Sequence, residues 1–295
     1  MSDLSLGDSG SAAQWHIGRG ALRRLQQADA GSPRSQEFRG GHADTLALLS
    51  IDHGRDDSLQ TFRIRAAQAD SQRQAARQLV RRMYSHRGYL TPDADEPVNR
   101  HSVTLVVARE DEPVGTLSVG FDSPSGLLCD ELFKPEVDAV RRSGRKVCEF
   151  TKLALDIDGN SKQVLASLFH MAYLHAHRIR GCDDVLIEVN PRHVGYYRRM
   201  LDFRVVGEEK MCPRVNAPAV LMALDLSHTR RQIELYAGRF DVLATERSLY
   251  PYAFDAVKEG EVLRALHAGG RSAMFGETNP GSDGYRLAGY SPARP

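Results

Sequence analysis

One apolar run, VCEFTKLALD at residues 147–156, carries a carboxylate, a hydroxyl and an amine in close succession. Burial in such a run raises the pKa of a carboxyl group, so Glu149 is a candidate general base that accepts a proton directly or through a water. In a regular strand Glu149 and Thr151 share one face, and Lys152 lies on the other. Joint action of Glu149 and Lys152 therefore requires a β-bulge, which would also free backbone N–H groups to bind an oxyanion. The structural alternatives are a glutamate paired with an arginine and a surface lysine.

Three histidines, His170, His175 and His177, lie within one predicted helix and raise the question of a metal site. No acidic residue accompanies them at the spacing of a helical metal site, and the sequence has no His-Glu-x-x-His motif. We interpret them, and His193 near Pro191, as core or surface residues and predict no metal.

Composition and charge narrow the class of protein. The 295 residues contain 39 basic and 38 acidic side chains, a net charge of +1, so the overall balance does not indicate a nucleic-acid partner. The N-terminus has no apolar signal-peptide core, and no apolar run of about 18 residues predicts an integral membrane segment. The cysteines lack C-x-x-C spacing, which favours reduced, buried thiols in a cytoplasmic protein: Cys129, Cys148, Cys182 and Cys212.

Hydrophobic periodicity places regular elements between two polar tails. The predicted strands cover residues 62–68, 101–111, 112–122, 147–156, 183–191, 203–210 and 217–226. The predicted helices cover residues 69–89, 135–145, 158–181 and 191–202, with two more after residue 228. Residues 1–60 and 269–295 are rich in Gly, Ser and other polar residues, so we expect them to be largely disordered or flexible.

This order of elements resembles the fold of Gcn5-related N-acyltransferases. The resemblance implies an α/β (α+β) domain at residues 61–227, with a mixed, mostly antiparallel sheet flanked by helices. In that fold, two splayed middle strands hold a pantetheine thioester. Residues 228–268 would then be a C-terminal helical extension that covers an acyl tunnel, docks a second subunit or packs on the sheet.

Three motifs, within roughly residues 62–226, resemble particular families that share this fold. RRMYSHRGYL places Tyr84 and Tyr89 where autoinducer synthases and N-acyl amino acid synthases carry aromatic residues. CEFTKLALD resembles the Glu-x-Ser-Arg strand of autoinducer synthases. NPRHVGYYRRMLDFRVVGEE with MCPRVNAPAVLMALDL resembles the N-acyl amino acid synthases most. Two departures, Tyr89 for Trp and Lys152 for Arg, weaken the expectation of S-adenosylmethionine recognition, and Asp202 replaces the usual glycine before Phe203.

The resemblance also implies roles for individual residues. Glu149 matches the acid that takes the amine proton, and Lys152 would hold the carboxylate of an amino acid. Tyr197, with Tyr196 as the second candidate, would protonate the leaving thiolate; packing is the alternative for either ring. The remaining predicted substrate-binding residues are Thr151, Tyr84, Tyr89 and Asn190.

The acyl donor is predicted from a loop. Coenzyme A-dependent relatives grip the pyrophosphate with a glycine-rich loop at a helix N-terminus. The matching residues here, Asp156 to Lys162, contain two carboxylates and one glycine, which favours a carrier-protein phosphopantetheine as donor substrate and no separate cofactor. Acyl carrier proteins are acidic, so the basic run Arg141, Arg142 and Arg145 is either their docking site or a solvated face.

The sequence therefore predicts transfer of a fatty acyl group from acyl carrier protein to the α-amine of an amino acid. Within enzymes, the alternative is an acyl-homoserine lactone-type autoinducer synthase. From another class, the alternative is a binding protein that senses acyl thioesters without turnover.

Overall fold

A computed structural model of the chain describes residues 45–52, 59–89, 101–157 and 161–275. Most of both predicted tails and residues 158–160 of the acidic loop lie outside the described residues. In the described part of the chain, no helix has the length and apolar character needed to cross a membrane.

Eight strands form one mixed sheet in the order β1-β2-β3-β4-β5-β6-β8-β7. Every neighbouring pair is antiparallel except β5 and β6, which run parallel. The strands are β1 (Ala47–Asp52), β2 (Leu59–Ala66), β3 (Ser102–Arg109), β4 (Glu112–Phe121), β5 (Val147–Leu155), β6 (Asp184–Val189), β7 (Arg204–Cys212) and β8 (Ala217–Asp225).

Helices cover both faces of this sheet. They are α1 (Asp70–Ser85), α2 (Asp130–Arg142), α3 (Ser161–Tyr173), α4 (Val194–Leu201), α5 (Leu226–Tyr236) and α6 (Ala256–Phe275). Alternation along β5 sends Val147 to the face where α2 packs and Cys148 to the opposite face, with α3. The predicted mostly antiparallel sheet flanked by helices is confirmed.

The sheet opens between β5 and β6. The two strands pair at only three positions, from Val147 opposite Asp184 to Glu149 opposite Leu186. Beyond that point, β5 continues to pair with β4, whereas β6 continues to pair with β8. The strands therefore diverge and leave a gap in the middle of the sheet.

The β-bulge required by the sequence is present in β5. Thr116 and Ser118 of β4 face Ala154 and Thr151, so β5 contains one extra residue here. Lys152 has a φ of 56°, a left-handed conformation typical of such an irregularity. The bulge lies at the edge of the gap, beyond the last residue that pairs with β6.

Three parts of the backbone differ from the sequence prediction. Residues 47–52, assigned to the disordered tail, form edge strand β1, because β2 supplies their hydrogen-bond partners. Helix α2 begins five residues before Pro135 and has a non-helical residue, Phe133, two positions ahead of that proline. Asp202 adopts the left-handed conformation, with a φ of 63°, that a glycine would favour at the end of α4.

The C-terminal extension begins at Leu226, two residues earlier than predicted, and is anchored on the core. The backbone N–H of Phe254 donates to Nδ1 of His170 on α3 at 3.0 Å. Glu259 pairs with His170 at 3.3 Å and with Arg178 at 2.6 Å. Tyr250 donates its hydroxyl hydrogen bond to the carbonyl of Leu201 at 3.0 Å. The extension therefore packs on α3 and α4.

Candidate functional site

A cavity of about 770 Å³ fills the gap between β5 and β6. Its walls come from the diverging halves of β5 and β6, from α1, α3 and α4, and from the turn between β7 and β8. Because the backbone ladder is interrupted here, side chains from both faces of the sheet reach one space. This is the place where the resemblance predicts a thioester.

The cavity combines apolar and charged walls. Leu117, Phe150, Phe169 and Ile187 supply a continuous apolar part. The charged side chains are Arg87, Glu131, Lys152, Glu188 and Arg214. A ligand with an apolar chain and a charged head matches this division.

Six of the predicted site residues line the cavity, and their chemical roles stay predictions. They are Tyr84, Tyr89, Thr151, Lys152, Asn190 and Tyr197. Glu149, Tyr196 and the arginines of the basic run are absent from its described lining.

Tyr84 and Tyr89 form an aromatic corner of the cavity. Their rings meet edge to face, with centroids 6.0 Å apart. Arg192 donates to the Tyr89 hydroxyl at 2.5 Å, and its guanidinium lies 5.4 Å from the ring centroid. Burial raises the pKa of Tyr84 to about 12, so its hydroxyl is protonated at neutral pH.

Tyr197 is held by rings on three sides. Its centroid lies 6.3 Å from that of Phe169 and 5.8 Å from those of Tyr196 and Phe203. Burial raises its pKa above the usual value, so the hydroxyl stays protonated at neutral pH. This position fits the predicted donor to a leaving group better than the position of Tyr196 does.

The carboxylate of Glu149 accepts hydrogen bonds from the backbone just before α2. Its Oε1 accepts from the backbone N–H of Leu128 at 2.8 Å, and its Oε2 accepts from that of Cys129 at 3.0 Å. A Cβ at Gly120 would lie 2.8 Å from Oε1, so the carboxylate fills the space above this glycine. Both oxygens thus accept hydrogen bonds from backbone N–H groups at the start of α2, and the role of Glu149 as a base stays a prediction.

We expect Glu149→Gln to lower stability. The amide NH₂ of glutamine would face a backbone N–H, which leaves a buried donor without an acceptor and costs about 1–3 kcal/mol. Thermal unfolding should show a Tm several degrees below that of the wild type. Glu209→Gln, an exposed change on β7, is the matched control. An unchanged Tm for Glu149→Gln would contradict this structural role.

The predicted docking arginines differ in their surroundings. Arg141 pairs with three aspartates, Asp122 at 2.8 Å, Asp130 at 2.6 Å and Asp138 at 2.8 Å. Arg145 pairs with Asp184 and, at 2.8 Å, with Asp225. These pairs hold α2 and the start of β5 in place. Arg142 is exposed, and docking through it stays a prediction.

The sequence analysis named only Lys152 among the five charged residues of the cavity, and Glu188 and Arg214 are two of the four that it missed. Glu188 is an acid between the apolar residues Ile187 and Val189 of β6, a signal similar to the one that singled out Glu149. Arg214 lies in the turn between β7 and β8, where the sequence gives no periodic signal. The two side chains form an ion pair inside the cavity.

Comparisons with known proteins agree with this architecture. Residues 75–225 match the family model described as N-acyl amino acid synthase FeeM. The structure of FeeM, an N-acyl amino acid synthase from uncultured soil microbes, matches at 30% identity with a TM-score of 0.53, over 58% of this chain and 93% of that chain. Comparison with curated proteins gives no significant match.

Two less similar structures add no argument about activity. A putative N-acetyltransferase from Lactobacillus plantarum matches at 17% identity and a TM-score of 0.39, over 56% of this chain and 98% of that chain. The acyl-homoserine lactone synthase LasI matches at 8% identity and a TM-score of 0.41, over 57% of this chain and 91% of that chain.

Proposed function

Since the chain belongs to the N-acyl amino acid synthase FeeM family and is an N-acyltransferase, we propose that it transfers a fatty acyl group from acyl carrier protein to the α-amine of an amino acid. The observation that carries this proposal is the cavity in the split sheet. It offers an apolar wall to the acyl chain and charged side chains to a zwitterion.

The charged part of the cavity suits an amino acid acceptor. Lys152 projects from the bulge in β5 and provides an ammonium group for the acceptor carboxylate. Glu188 provides a carboxylate for the acceptor ammonium. Opposite charges in one cavity favour a zwitterion over a simple amine or a simple acid.

The split strands support a thioester site beside the bulge in β5. The bulge interrupts the regular pairing of β5 beside the apolar residues Phe150 and Leu153, which line the same cavity. Backbone N–H groups at such an irregularity support an oxyanion in the tetrahedral intermediate. Tyr197, on the α4 side, donates to the departing sulfur.

The carrier-protein donor is supported mainly by the sequence of the loop before α3. Asp156 pairs with Arg82 at 2.7 Å, which compensates one of the two acidic charges. Asp158 lies outside the described residues. The loop still lacks the glycine pattern that would present several backbone N–H groups to a pyrophosphate.

The proposal is tested by product analysis. The purified full chain is incubated with a mixture of amino acids and acyl carrier protein thioesters of several chain lengths, and products are identified by mass spectrometry. We expect an N-acyl amino acid, with equimolar release of the carrier thiol. A reaction without the chain is the control. A lactone formed with S-adenosylmethionine, or no product with any acceptor, would contradict the proposal.

A further inference from the structure

Glu188 lines the cavity at a point that the family resemblance did not single out. It lies in β6, two residues beyond Leu186, the last residue that pairs with β5. Its side chain therefore lies in the gap, on the same face of the sheet as Glu149. Only 15% of the side chain is exposed.

Arg214 binds one oxygen of Glu188, and the other oxygen has no hydrogen-bond donor among the described residues. The guanidinium donates to Glu188 Oε2, to the Leu128 carbonyl at 3.1 Å and to Glu131 Oε2 at 2.5 Å. Oε1 of Glu188 is buried and accepts no hydrogen bond from any described residue. A buried carboxylate oxygen without a donor is costly, so this atom is suited to receive one from a ligand.

Burial, with a smaller effect of neighbouring acids, makes Glu188 a stronger base than an ordinary glutamate. Burial raises its pKa to about 7; Arg214 opposes this effect, and Glu149 and Glu131 add to it. The thiol of Cys129, the residue before α2, interacts electrostatically with Glu188, and burial keeps this thiol protonated by raising its pKa. Near neutral pH, Glu188 is therefore able both to accept and to release a proton.

His193 is a cavity side chain whose ordinary pKa lies near this range. Its Nε2 accepts from Arg192 at 3.2 Å. Burial, with smaller effects of Arg192 and Arg87, lowers its pKa to about 4. The imidazole is thus neutral but weakly basic, and it is a poorer acceptor for the proton of an ammonium group than Glu188 is.

We propose that Oε1 of Glu188 binds the α-ammonium group of the acceptor amino acid and removes its proton, while Arg214 positions the carboxylate through Oε2. This inference rests on the proposed function, because it names the catalytic base for that reaction. It replaces Glu149, whose two oxygens are both engaged by backbone N–H groups.

The reaction transfers protons from the acceptor nitrogen and breaks the bond between the acyl carbon and sulfur. Glu188 takes one proton from the ammonium group, and the neutral amine attacks the thioester carbon, so a C–N bond forms. The tetrahedral intermediate then collapses, the C–S bond breaks, and the electron pair leaves with sulfur. The second nitrogen proton is lost as the amide forms, and one proton ends on the thiol. The proton on Glu188 returns to solvent.

The test compares Glu188→Gln, Glu188→Asp and the exposed control Glu209→Gln. Glu188→Gln should lower kcat by roughly 10²- to 10⁴-fold, the range for loss of a general base. Wild-type kcat should rise with pH through about 7, as the carboxylate ionises. The Gln variant should lack this rise and recover only at higher pH, where the free amine loses its proton unaided. Glu188→Asp should keep the rise at a lower kcat, and Glu209→Gln should match the wild type.

Two outcomes would overturn the inference. One is a Glu188→Gln variant with near-wild-type kcat. The other is a Glu188→Gln variant whose kcat is lowered but whose pH profile is that of the wild type. A second measurement separates this inference from the proposed function. In protein with ¹³C-labelled glutamate carboxyls, one resonance should titrate near pH 7 and be missing from Glu188→Gln. An inactive wild type that shows this resonance refutes the proposed function, and with it the role of Glu188 in that reaction, but not the raised pKa of Glu188. A Glu188 resonance with an ordinary carboxyl pKa refutes the inference.

Discussion

Replacing Tyr197 by Phe is expected to lower kcat by roughly 10²- to 10³-fold, the range for removing one donor that stabilises developing negative charge. The hydroxyl is the only part of the side chain that changes, and the ring contacts with Phe169 and Phe203 remain. The raised pKa of Tyr197 keeps this hydroxyl protonated, so its contribution should not fall as the pH rises towards 10. The measurement is thiol release from an acyl thioester at saturating amino acid.

Controls separate donation to sulfur from simple packing. Tyr236→Phe changes a half-buried tyrosine of α5 and should leave kcat unaltered. Tyr196→Phe should have a smaller effect than Tyr197→Phe, since Tyr196 is absent from the described cavity lining. A thioester of a more acidic thiol needs less help on departure, so it should reduce the deficit of Tyr197→Phe. An equal deficit with both thioesters would argue against donation to sulfur.

Acyl carrier protein thioesters are expected to exceed acyl-coenzyme A in kcat/KM by roughly 10²-fold, a difference of about 2.7 kcal/mol. The reason is the acidic, glycine-poor loop from Asp156 to Lys162, which offers little to a pyrophosphate. The measurement uses one acyl chain on both donors.

Acyl-pantetheine is the informative control for this comparison, because it has neither the pyrophosphate nor the carrier surface. A kcat/KM for acyl-pantetheine above that for acyl-coenzyme A would reveal repulsion of the pyrophosphate at the loop. A kcat/KM for acyl-pantetheine below that for the carrier-protein thioester would reveal docking of the carrier protein. Equal kcat/KM for the carrier and coenzyme A thioesters would contradict the donor assignment.

Local patterns predicted most of the elements that build the cavity. Local hydrophobic patterns located β2 to β8, and the need to bring Lys152 and Glu149 to one substrate required the bulge that β5 contains. Strand β1 was missed because its six residues gain their order from pairing with β2, a long-range interaction with no local signal.

The difference between Glu149 and Glu188 could not be predicted from the sequence. Each is an acid with apolar neighbours on both sides in its strand. Their roles diverge because the parallel pairing of β5 with β6 stops at Glu149 and Leu186. Glu149 lies inside the paired region and binds the start of α2, whereas Glu188 lies just beyond it, in the opening. Only the three-dimensional register separates a structural carboxylate from one that faces a ligand.

The anchoring of the C-terminal extension means that the unit recognisable by similarity is smaller than the unit that folds cooperatively. The family match covers residues 75–225. Strand β2 precedes it and pairs with β3, and Phe254 follows it and stacks on His170 with centroids 4.9 Å apart. A fragment trimmed to the matched residues would expose the apolar side of α3 and leave His170 without its backbone donor. In this chain the boundary of the family match therefore runs through a single hydrophobic core.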